Sequence, residues 1–183
     1  FGQLTGRISH DSNKLLAVII GNLEILEEEL PQHGHSVRVI NAGVGGNSTQ
    51  RARARFDRDV LAHDPDVVVI QFGINDSAVD VWKNPPATEP RVPLDTYTEN
   101  LRHFVRTLKQ RDSQVILMTS NPLRWTDKLR QLYGKSPYIA ADEDGFNVLL
   151  KQYAQQTRIV ALDESVTLID IYDQLLRFGH EIS

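Results

Sequence analysis

The chain has 183 residues, 40% hydrophobic and 24% charged, with a formal net charge of −4 at pH 7, a composition expected of one soluble globular domain with a real core. That balance gives no argument for a nucleic-acid or anionic-membrane partner. Cysteine is absent, which excludes disulfides, thiolate metal sites and a cysteine nucleophile and leaves the compartment open.

No apolar run approaches the roughly 20 residues of a membrane helix. The longest, Leu15 to Ile20, is followed by Gly21-Asn22. No signal peptide is visible, and the chain opens on Phe1. Residues 1–30 read as an atypical helical segment, apolar over more than one face. Val37 to Ile40 is a short apolar run ending at Asn41-Ala42-Gly43. Ala52, Phe56 and Val60 then recur at helical spacing. Arg51, Arg53, Arg55 and Arg58 share that stretch with Asp57 and Asp59, as on a solvated helix face.

Val67 to Phe72 is nearly continuous and β-branched, as in a strand buried on both faces of a parallel sheet. A loop from Asn75 to Pro93 carries four prolines, and loops of that length are usually functional or disordered. Tyr97, Leu101, Phe104 and Leu108 mark a helix, and Val115 to Met118 the next strand. A second long loop runs from Asn121 to Asp144. Phe146, Leu149, Leu150, Tyr153 and Val160 indicate another helix. Leu168 to Ile171 is a last strand, with a short helix through Leu176. Alternating strands and helices imply an α/β fold with a mostly parallel sheet and right-handed crossovers. One domain is expected, with no boundary after about residue 35.

Ligands in such folds bind at the carboxyl ends of the strands. Three polar or glycine-rich segments fall there: residues 41–48, 73–77 and 119–122. The first, Asn41-Ala42-Gly43-Val44-Gly45-Gly46-Asn47-Ser48, lets backbone approach a ligand and precedes a helix start with free N–H groups. Taken alone, a tight strand-to-helix turn accounts for it equally well. Its spacing does not fit a dinucleotide fingerprint. In Gly73-Ile74-Asn75-Asp76, the Asn75 amide is placed to donate to an oxyanion, with the Gly46 N–H as a second donor. A strand-capping turn is the plain alternative for Asn75.

These two segments resemble the second and third motif blocks of the SGNH/GDSL-type hydrolases, in order and in separation. The similarity runs from about Val37 to Gly179. It implies a flavodoxin-like three-layer α/β/α sandwich, hydrolysis of small acyl or acetyl esters by a serine mechanism, and Gly46 and Asn75 as oxyanion donors. The partner implied is a small-molecule ester substrate, with no cofactor and no metal. Oligomeric state is not legible.

Two blocks of the family pattern depart. The first, Gly-Asp-Ser-Leu/Ile at the end of the first strand, supplies the nucleophile. His10-Asp11-Ser12 is its nearest match, which makes Ser12 the candidate, with a helix N-cap as the alternative. The fifth, Asp-x-x-His, supplies the base, and it occurs nowhere in the sequence. His180 is the histidine nearest its expected place, without the expected context. A serine without a base is a weak nucleophile. The expectation is therefore a fragment or chimera of such a hydrolase, an impaired relative, or a non-catalytic binding module. Residues 4–26 separately resemble the H-box of sensor histidine kinases, with His10 as phosphoacceptor and Asp11 beside it, although no ATP-binding domain accompanies them. Asp142, Glu143 and Asp144 read as a solvated helix start rather than a metal site.

Overall fold

A computed structural model describes residues 14–19 and 37–181. Five strands form one parallel sheet: β1 (Lys14–Ile19), β2 (Val37–Asn41), β3 (Val67–Gln71), β4 (Gln114–Met118) and β5 (Thr167–Ile169), in the order β2-β1-β3-β4-β5. That order is the flavodoxin-like one, with its switch point between β1 and β3. The helices that flank the sheet are α1 (Thr49–Arg53), α2 (Phe56–Asp59), α3 (Leu94–Lys109), α4 (Asp127–Tyr133), α5 (Leu150–Asp163) and α6 (Ile171–Glu181). The α/β class and the parallel sheet expected from the sequence are both observed.

β1 corrects one expectation. Leu15 to Ile19 is a strand, with Leu16 paired to Val39 on one side and to Val67 on the other, and not part of a helix through residue 24. The physical reason is that β1 is a central parallel strand. Such a strand has no polar face, so its sequence shows no period-2 alternation and reads the same as a helix apolar all round. A strand at these positions also removes the continuous helix on which the H-box resemblance depends.

The core lies between the sheet and α3, which packs against α1, α5 and β4. Val68 and Ile70 of β3, Leu117 of β4, and Leu101, Phe104, Val105 and Leu108 of α3 are all essentially inaccessible. The α3 residues recur at steps of three and four, the spacing that stacks side chains on one helix face. Phe56 meets Phe104 at 4.7 Å between ring centres. The helical stretch expected around Ala52, Phe56 and Val60 is broken at Ala54–Arg55 into two short helices, yet all three apolar residues are buried.

The carboxyl end of β3 is held from both sides. The Phe72 carbonyl accepts from Tyr97 Oη at 3.1 Å and from Ser120 Oγ at 2.7 Å, and Tyr97 Oη also meets Thr157 Oγ1 at 2.8 Å. Tyr97 is fully buried, and burial drives its phenol far above the ordinary value. Tyr97→Phe is expected to cost about 1–2 kcal/mol of unfolding free energy in urea, one buried hydroxyl with two partners.

Candidate active site

A cleft of about 210 Å³ opens at the carboxyl edge of the sheet. Residues 43–47 line one side, residues 71–75 the other, with Arg55 and Ser120 completing it. The structure therefore brings Gly46 and Asn75 to one cavity. Gly46 sits at φ +73°, where a side chain is strained. The turn that contains it closes through Asn47 N–H on the Val44 carbonyl at 3.1 Å. Among the described residues, none accepts the Gly46 N–H.

Gly73 has φ +136°, and a Cβ there would stand 3.0 Å from Ser120 Oγ. Only glycine lets the chain turn so tightly off β3 and still lay Ile74 and Asn75 along the cleft. Ser77 N–H closes this turn on the Gly73 carbonyl at 2.8 Å.

The amide of Asn75 is oriented by chemistry. Arg91 Nη1 donates to Asn75 Oδ1 at 3.0 Å. Arginine has only donors, so the amide oxygen must face it and the NH₂ must point away. Among the described residues, no acceptor takes Asn75 Nδ2. Arg91 is itself fixed by Asp80, through Nη2 at 2.7 Å and Nε at 3.1 and 3.2 Å. Lys83 pairs with the same carboxylate at 2.7 Å. Hydrogen bonding to Arg91 pulls the Asp80 carboxyl down to about 2.

The two sides of the cleft are joined beneath it. Asp76 is fully buried, and its Oδ1 accepts from Thr49 N–H at 2.8 Å and Thr49 Oγ1 at 2.5 Å. Asn100 Nδ2 donates to Thr49 Oγ1 at 3.2 Å, and Arg53 Nη1 donates to Asn100 Oδ1 at 2.9 Å. Burial raises the Asp76 carboxyl above its usual range, and hydrogen bonds from Thr49 offset part of that penalty.

Sequence reasoning missed Asp76, Thr49, Arg91 and Asp80. Asp76 carried a signal, since it belongs to the same turn as Asn75. Arg91 carried none, because its partners are 16 and 11 residues away across an irregular loop.

Ser12 and His10 lie outside the described residues. Lys14, the first residue of β1, pairs with Val37 at the amino end of the sheet, the edge opposite the cleft. Ser120 contributes a hydroxyl to the cleft lining, already donated to Phe72. No histidine is among the described residues of the lining. His63 is in a short 3-10 turn, and His103 packs edge-on against Phe56 and Phe104. His180 falls within α6. Asp142 and Asp144 close a loop through Asp142 Oδ1 and the Asp144 N–H at 2.9 Å. No helix among the described residues is long and apolar enough to cross a membrane.

Comparison with known proteins adds the family. The profile of the GDSL-like lipase/acylhydrolase family matches residues 21–181. An uncharacterized lipoprotein of Bacillus subtilis (strain 168) is 34% identical over 137 residues, 72% of this chain and 54% of the relative. An acetylxylan esterase of Geobacillus stearothermophilus is 30% identical over 165 residues, 87% of this chain and 67% of the relative. The crystal structure of an acetyl xylan esterase superposes with a TM-score of 0.68 at 22% identity, over 91% of this chain and 82% of that one. This chain thus spans between about half and two thirds of the length of those two curated relatives. The chain belongs to the GDSL-like lipase/acylhydrolase family.

Proposed function

We propose that the cleft is the oxyanion-binding half of a serine ester hydrolase acting on small acyl esters. The ester carbonyl oxygen lies between the Gly46 N–H and Asn75 Nδ2. As a hydroxyl adds to the carbonyl carbon, the charge that develops on that oxygen meets two donors already aimed at it. The observation that carries this reading is the Arg91–Asn75 contact, which leaves the Asn75 NH₂ as the group turned away from arginine. Acetylated carbohydrate is the substrate suggested by the acetylxylan esterase relatives. The sequence offers Ser12 as nucleophile, yet β1 starts two residues later at the edge opposite the cleft, so the hydroxyl that attacks the carbonyl is not assigned to it, and no base is identified.

The test is hydrolysis of p-nitrophenyl acetate by the chain and by Ser12→Ala and Asn75→Ala. Turnover above the buffer blank that Asn75→Ala reduces about 10²-fold supports the oxyanion role. Equal rates for the chain and Ser12→Ala remove Ser12 from the mechanism.

A second reading, a non-catalytic ligand-binding module, rests on a specific observation. β1 ends at Ile19, and the family match opens at residue 21. The family's first block follows its first strand, and the sequence after β1, Ile20-Gly21-Asn22-Leu23-Glu24, contains no Asp-Ser pair. This reading expects no turnover above the blank, together with thermal stabilisation by carbonyl ligands.

A further inference from the structure

The cleft holds a polar group that the ester carbonyl does not use. Gln71, the last residue of β3, lines it. Gln71 Nε2 donates to the Thr119 carbonyl at 3.0 Å. A carbonyl only accepts, so the amide nitrogen must face Thr119 and Oε1 must turn the other way. The anchor is itself held on several sides. Thr119 is inaccessible, and its N–H donates to the Ile169 carbonyl at 3.1 Å. Its Oγ1 donates to Asp170 Oδ1 at 3.0 Å and accepts the Tyr172 N–H at 2.9 Å. Arg158 grips the same Asp170 carboxylate through Nε at 2.7 Å and Nη2 at 3.1 Å.

Asn47, Gln71 and Asn75 are the side-chain amides in the described lining. Asn75 Oδ1 is taken by Arg91, and Asn47 Oδ1 by the Ser48 N–H at 3.1 Å. Among the described residues, no donor takes Gln71 Oε1. Backbone acceptors beside it are occupied: the Phe72 carbonyl by Tyr97 and Ser120, and the Gly73 carbonyl by the Ser77 N–H. The described lining thus presents donors at Gly46 and Asn75, and one side-chain amide oxygen left open, at Gln71. An alkyl arm laid against that oxygen strips its water and returns no hydrogen bond, which costs about tenfold in affinity. A hydroxyl in the same place restores the bond.

We propose that Gln71 Oε1 accepts a hydrogen bond from the ligand, so that the cleft selects esters with a hydroxyl on the arm next to the carbonyl over esters with a plain alkyl arm. The proposal rests on the oxyanion reading for the placement of the carbonyl. A cavity of about 150 Å³ accepts benzene, so this cleft of about 210 Å³ has room for a carbonyl and a short arm together.

Paired ketones test it without requiring turnover, since they present a carbonyl and no bond to hydrolyse. Hydroxyacetone and 2-butanone differ by a hydroxyl in place of a methyl group, as do 4-hydroxy-2-butanone and 2-pentanone. In NMR titration, the hydroxylated member of at least one pair is expected to bind more tightly. Gln71→Met keeps the length of the side chain and removes its acceptor, and Gln71→Leu removes the acceptor with a shorter chain. In both, the hydroxyl-to-methyl affinity ratio of that pair is expected to fall about tenfold. The ratio compares two ligands on one protein, so a general loosening of the cleft cancels from it. Tighter binding of the alkyl member in both pairs of the wild type, or an unchanged ratio in either variant, overturns the proposal. Asn75→Ala separates the two readings. Weaker binding of both members by the same factor supports the shared placement. Unchanged binding of both, with the ratio still lost in Gln71→Met, keeps the Gln71 acceptor and removes Asn75 as the carbonyl donor.

Discussion

Asp76→Ala is expected to lower the unfolding free energy by about 3–4 kcal/mol, measured by urea denaturation at neutral pH. The substitution deletes one acceptor that serves two donors, Thr49 N–H and Thr49 Oγ1, in a site where both residues are inaccessible. The Thr49 N–H belongs to the first turn of α1, whose amides have no partner within the helix. Losing the contact also uncouples the Gly46 loop from the Asn75 turn, so affinity for carbonyl ligands should fall with stability. Asp76→Asn retains an acceptor oxygen of the same shape and should cost much less. Both variants also remove a pH dependence that the wild type carries. The buried Asp76 carboxyl has a raised pKa, so the folded chain holds that proton more tightly than the unfolded chain. Its contribution is therefore fully present below the ordinary carboxylate value and is lost as pH rises through the raised one. Asp80 acts in the opposite sense. Its carboxyl lies at about 2, so it contributes stability above the ordinary value that is lost as pH falls from about 4 toward 2. Asp76→Asn should remove the first slope and leave the second. Identical pH profiles for wild type and Asp76→Asn would contradict the burial argument.

The fold was legible where one periodicity stood alone. The β-branched run of β3 and the four-residue spacing of α3 each admitted a single element type. β1 was not legible, because its Leu-Leu-Ala stretch suits a helix as well as a strand, whereas β3 opens on three consecutive valines. Phe146 and Leu149 were assigned to a helix on spacing, yet that helix begins at Leu150. The two residues instead complete an aromatic cluster with Trp125, Tyr133 and Tyr138, a long-range contact with no local signature. α4 was hidden in a loop because its seven residues bury no side chain fully. Of the site, Gly46 and Asn75 were singled out by the family resemblance, since each segment alone is equally a plain turn, and both line one cavity. The residues that aim them were not, since Asp76, Arg91 and Asp80 act through partners brought close only by the folded loops.

Arg91→Lys is expected to weaken carbonyl-ligand binding about tenfold while costing less than about 1 kcal/mol in stability, whereas Arg91→Ala should cost about 2–3 kcal/mol and weaken binding as much. The difference follows from geometry. Arg91 spends Nε and Nη2 on Asp80 and Nη1 on Asn75. A lysine ammonium can keep the pairing with Asp80, where Lys83 already offers a second charge. It lacks the planar fork that reaches both partners at once. Without a donor at its oxygen, the Asn75 amide is free to turn over and present oxygen to the cleft, where an acceptor repels a developing oxyanion. A residue that only stabilised the loop would lose binding in proportion to stability, and Arg91→Lys breaks that proportion. The role of Arg91 runs through Asn75, so in an Asn75→Ala background Arg91→Lys should have no further effect on affinity. Additive losses in the double variant, or wild-type ketone affinity in Arg91→Lys, would mean that Arg91 does not orient the amide.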